Sequence, residues 1–160
     1  MGSIHVLRPL AGPEGRDLPA LSRAEQTVIW TLRHACAHPI ARAARRGEWA
    51  ALVRGFAPAA AAAGEALAAG LAMAGEPPAP LGLRHASRTE EWVLEALAAV
   101  HANAPERFLA ACRALGTPTG GELAGALAVF AGTIEAGGVR LASPAGAAAF
   151  PAAAVARWIQ

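Results

Sequence analysis

The tetrapeptide pattern S-R-x-E occurs twice, 65 residues apart, and each copy opens an apolar-periodic run. Ser22-Arg23-Ala24-Glu25 precedes Val28, Ile29, Leu32 and Ala35; Ser87-Arg88-Thr89-Glu90 precedes Val93, Leu94, Leu97 and Val100. Both starts have the S-x-x-E form of a capping box, in which the Ser side chain accepts an orphan N–H one turn in and the Glu reaches back to the Ser N–H. A chain with two such starts is expected to carry two equivalent amphipathic helices.

The likeness extends beyond those helices. Glu48–Phe56 aligns with Arg107–Leu115 at an offset of 59, and Ala61–Gly75 aligns with Ala124–Gly138 at an offset of 63. The second alignment pairs Leu67 with Phe130 and Leu71 with Ile134. The pattern therefore reads as an internal duplication of a three-helix unit. The drop in offset from 65 to 59 places an insertion in the first unit, within His38–Gly47.

Composition agrees with helices. Hydrophobic residues make up 54% of the chain, aromatics 5%, and Tyr is absent. Ala, the best helix former, dominates, while the β-branched and aromatic residues that strands favour are scarce. The expected fold is all-α, with six main helices in two related three-helix halves, short extended linkers and brief C-terminal helices. Residues 1–21 read as an extended N-terminal segment and 22–75 as the first unit. Residues 76–86 form a Pro-rich linker, 87–138 the second unit, and 139–160 an extended segment with short helices, all in one compact domain. Within the units the helices are expected over Ser22–Ala37, Glu48–Phe56, Ala59–Ala74, Ser87–His101, Asn103–Leu115 and Gly121–Ala136, with Asn103 as the cap of the fifth.

Charge excludes little. The 14 basic residues are all Arg, the imprint of a bacterial-like, high-GC genome, and the net charge of +2 is too small to imply nucleic acid. Asp17 is the single Asp, which argues against sites built on clustered aspartates. Two cysteines make no disulfide framework and are expected as small buried hydrophobes. The start of the chain lacks a continuous apolar stretch, and no Leu/Ile/Val-rich span of membrane length occurs. A cytoplasmic protein that makes no use of a membrane is expected.

Candidate functional residues lie off the helical stripes. On a 100° wheel Trp30 points away from Val28, Ile29 and Leu32, beside Arg33 and His34, and Trp92 falls outside the matching stripe. Trp is enriched where a surface meets a partner, so Trp30, Trp92 and Arg33 are expected on a surface for a protein partner or a second copy, as in a dimer. Arg42, Arg45 and Arg46, in the insertion, form a basic patch that suits an anion. Nucleic acid is disfavoured because no helix-turn-helix pattern accompanies the patch.

Chemistry has thinner support. His34 and His38, spaced i, i+4, could reach one Zn²⁺, but Cys36 between them points elsewhere and no H-E-x-x-H or C-x-x-C pattern is present. Cys36 and His101 occupy matching positions at the 65-residue offset and would form a thiol–imidazole pair if the halves pack them together. Gly116–Gly121 lacks the Lys of a phosphate-binding loop. No cofactor is expected. These readings favour a non-enzymatic cytoplasmic module for protein interaction, assembly or regulation. The alternatives are a metal- or thiol-dependent protein using His34, His38, Cys36 or His101, and an anion or nucleic-acid binder using Arg42–Arg46.

Overall fold

Both capping boxes close in the computed structural model, which describes residues 15–44, 46–47, 58–117 and 121–142. The Ser22 hydroxyl accepts the Glu25 N–H at 3.2 Å while the Glu25 carboxylate accepts the Ser22 N–H at 2.8 Å. Ser87 and Glu90 repeat the exchange at 3.2 and 2.7 Å. The described helices are α1 (Arg23–Cys36), α2 (Pro39–Ala44), α3 (Pro58–Met73), α4 (Arg88–His101), α5 (Pro105–Ala114) and α6 (Glu122–Ala136). A 3₁₀ turn at Leu18–Ala20 precedes them, and the described residues contain no named strand. The all-α expectation holds. The expected helix over Glu48–Phe56, the C-terminal helices and Arg45 lie outside the described residues.

The core forms where the apolar stripes converge. α1 packs on α3, α3 on α6, α6 on α4, and α4 on α5, with a lighter contact between α1 and α4. Residues matched by the sequence offsets are buried together: Val28 with Val93 and Leu32 with Leu97 at 65, Leu67 with Phe130 and Leu71 with Ile134 at 63. The ends of α3 and α6 also match. Gly75 and Gly138 adopt φ of 81° and 82°. The next amide in each case bonds back five residues, Glu76 to Leu71 O at 2.9 Å and Val139 to Ile134 O at 3.0 Å. Both are Schellman closures, in which glycine supplies the left-handed step without a Cβ clash.

One boundary differs from expectation. Asn103 does not cap α5; it closes α4, at φ 50°, with its N–H on Val100 O and the Ala104 N–H on Ala99 O. Asn tolerates the left-handed conformation, and Pro105 at the first turn of α5 needs no amide partner there. Both helix ends can therefore be satisfied without a side-chain cap.

The Pro-rich linker is held by the N-terminal segment. Leu18 N–H donates to Arg84 O and Ala86 N–H to Arg16 O, each at 2.9 Å, around an antiparallel bridge between Asp17 and His85. Among the described residues no helix is long and apolar enough to cross a membrane.

Candidate functional site

Arg33 lies off the apolar stripe of α1, yet it is only 1% exposed. Its Nε and Nη2 donate to the two carboxylate oxygens of Glu90, each at 2.7 Å, and both side chains are fully enclosed. Its remaining bonds go to the linker, from Nη1 to Leu83 O and from Nη2 to His85 O. Glu90 in turn accepts the Ala79 and Ser87 amides, at 3.1 and 2.7 Å. One carboxylate thus caps α4, pairs with α1 and holds the linker. The expected outward position of Arg33 on a partner surface is corrected: the pairing draws the guanidinium inside.

A second clamp lies nearby. The Arg16 guanidinium meets Glu25 of α1 and Glu91 of α4, both at 2.9 Å, and the Arg16 N–H adds a bond to Glu91 at 2.8 Å. Burial of Glu25 disfavours its ionisation, but the bonds from Ser22 and the charge of Arg16 outweigh it and hold the carboxyl below its ordinary range. Sequence periodicity could not find Arg16, which lies in an irregular segment before any helix.

The two tryptophans are half-buried. Trp92 packs against the core and walls a recess of about 260 Å³ with Glu76, Arg88, Thr89, Ala114 and Leu115. The Thr89 hydroxyl donates to Glu76 there at 2.8 Å.

The Cys/His positions are equivalent but are not joined by any bond. Cys36 is exposed, which corrects the expectation of a buried thiol; its Sγ lies 3.7 Å from Ala68 O of α3, and local burial raises its pKa. His101 is buried and bonds through Nε2 to Ala131 O of α6 at 2.9 Å. Ala68 and Ala131 are themselves 63 positions apart, so each half makes the same helix-to-helix contact with a different donor. Cys112 is buried, as expected.

His34 and His38 gather no third ligand: among the described residues no group of three His, Cys, Asp or Glu side chains is arranged to hold a metal. Burial lowers the His34 pKa, and the nearby Arg42 charge adds to the effect. Arg42 approaches Glu65 of α3 at 3.8 Å, and Arg46 is exposed.

The feature that sequence reasoning missed is on the outer faces of α3 and α6. Ala59, Ala62, Ala66, Ala69 and Met73 are exposed along α3, and Gly125, Ala128, Val129, Gly132 and Ala136 along α6. Met73 is 87% and Val129 62% exposed. These spacings of three and four residues put each set on one side of its helix. α3 and α6 pack side by side, and each turns its exposed set away from the residues it buries in the core. The clue was available: neither stretch has a polar face, and a helix that is apolar all round is ordinarily covered. No family model, no curated protein and no solved structure matches the chain.

Proposed function

We propose that the protein is a non-enzymatic cytoplasmic helical module for protein interaction or assembly, with another copy or another protein as its partner. The observation that carries this is the exposed apolar faces of the packed helices α3 and α6, with Met73 and Val129 standing out from a field of Ala and Gly. Exposed apolar surface that is contiguous, unlike scattered single residues, marks a place where a protein meets something else. Small residues also let a partner backbone approach closely, which gives dense van der Waals contact over a modest area.

Ala66→Glu with Val129→Glu tests this. Both positions are exposed, so the helices should persist by circular dichroism. Wild-type protein should self-associate in sedimentation velocity as concentration rises, or retain specific proteins from lysate, and the double variant should lose whichever of these occurs. A wild type that stays monomeric throughout and captures the same proteins as the double variant overturns the proposal.

A further inference from the structure

We propose that His101 is a protonation-sensitive latch that holds residues 139–142 on the C-terminal end of α4. After the α6 closure at Gly138 the chain runs across the C-terminal end of α4 without regular structure. Three contacts hold it: Leu141 N–H lies 2.9 Å from His101 Nδ1, Arg140 Nη2 donates to His101 O at 2.7 Å, and the Leu141 side chain is buried.

The proton positions follow from the partners. A backbone amide can only donate, so Nδ1 must accept; a backbone carbonyl can only accept, so Nε2, 2.9 Å from Ala131 O, must carry the hydrogen. The closed strap therefore needs the neutral ring in one tautomer. A proton on Nδ1 would set two N–H donors against each other, and a ring only 6% exposed has little water to compensate. The charged groups on the strap side are Arg140 and Glu135 of α6, paired with each other at 2.9 Å, so the new cation would arise beside an arginine already matched. On α5, which also packs on α4, Arg107 is likewise held by Glu95 of α4, and on α1, in lighter contact with α4, Arg33 is held by Glu90.

The equivalent place in the first half lacks both parts of the device. Cys36 stands where His101 stands, and Pro78 stands at the 63-residue equivalent of Leu141. Proline has no N–H to donate. The titratable acceptor and its amide donor thus occur together in one half and are replaced together in the other.

Amide hydrogen exchange of the full chain tests the latch, with protection corrected for the intrinsic pH dependence. On acidification from neutral, Leu141 should lose protection by about tenfold or more, the effect of leaving a buried donor unmatched, while Leu97 and Leu127 hold theirs. In His101→Gln the amide oxygen accepts and the amide nitrogen donates but nothing titrates, so Leu141 protection should stay flat. Nitrogen shifts of the wild-type imidazole supply a second reading that needs no variant: protonation of Nδ1 should coincide with the loss at Leu141. Equal loss at Leu141 and Leu97, parallel loss in His101→Gln, or unchanged Leu141 protection while the ring protonates would each overturn the latch.

Discussion

At the residue scale the decisive group is Glu90, because four N–H donors converge on its two oxygens. The sequence announced one of its duties, the capping box, and concealed the others. A carboxylate has about four acceptor sites, and an S-x-x-E pattern accounts for only one of them. The partner that fills two more, Arg33, is 57 positions away and was placed outward by a wheel that considers one helix at a time. Enclosing both charges makes the pair sensitive to the loss of one member. Glu90→Gln keeps a side chain that can cap but leaves the Arg33 charge buried without its counter-ion, a loss of about 3–5 kcal/mol by analogy with other broken buried pairs. Adding Arg33→Met should recover most of that loss, since it removes the stranded cation and fills similar volume with apolar atoms. Urea unfolding of the two variants checks the order. If Glu90→Gln alone matches the double variant, the buried charge is not what makes the site sensitive.

Helix starts and stops were legible because they are local chemistry: Ser–Glu boxes, prolines in first turns and glycines after last turns each act within five residues. Asn103 shows the limit, since the same side chain suits the end of α4 and the start of α5, and only the packing of the two helices decides. Faces were less legible. α3 and α6 have almost no polar residues to mark a solvent side, so which alanines are buried depends on neighbours that periodicity does not name. Glycines within these helices now separate by surroundings. A Cβ at Gly64 would fall 2.5 Å from Thr31 Cγ2 and 3.3 Å from the Phe130 ring, whereas at Gly125 and Gly132 it would meet nothing within 4 Å. Gly64→Ala should therefore destabilise by about 1–3 kcal/mol through overpacking, despite the gain in helix propensity. Gly125→Ala and Gly132→Ala should each stabilise the isolated chain by about 0.5–1 kcal/mol, the usual entropic gain. Thermal unfolding of dilute protein decides. A stabilising Gly64→Ala would mean that α1, α3 and α6 are packed less closely than the structure has them.

At the scale of the whole molecule α1 and α4 share a capping box, and α3 and α6 share buried pairs and a glycine closure, yet the segments that follow are fastened by unlike devices. Arg33 and Glu90 hold the linker that follows α3, while His101 holds the strap that follows α6. Arg16 ties the starts of α1 and α4 from outside both. Such fasteners differ in how they respond to acid. The Glu25 carboxyl is held below its ordinary value near 4.5, so the folded chain keeps it ionised where the unfolded chain would protonate it. The stability this supplies is complete above the ordinary carboxylate range and is lost as pH falls through the lower, folded value. Glu25 is itself nearly buried but Arg16 is half-exposed, so the pair should add only about 0.2–1 kcal/mol beyond the cap, and less in high salt. Glu25→Gln should thus lower the urea midpoint at neutral pH, and the gap from wild type should close as pH falls through the lowered folded value. Added salt should shrink the neutral-pH gap without abolishing it, because the Ser22 bonds are local and little screened. A gap that stays constant down to acid pH would show that Glu25 acts through packing and not through its charge.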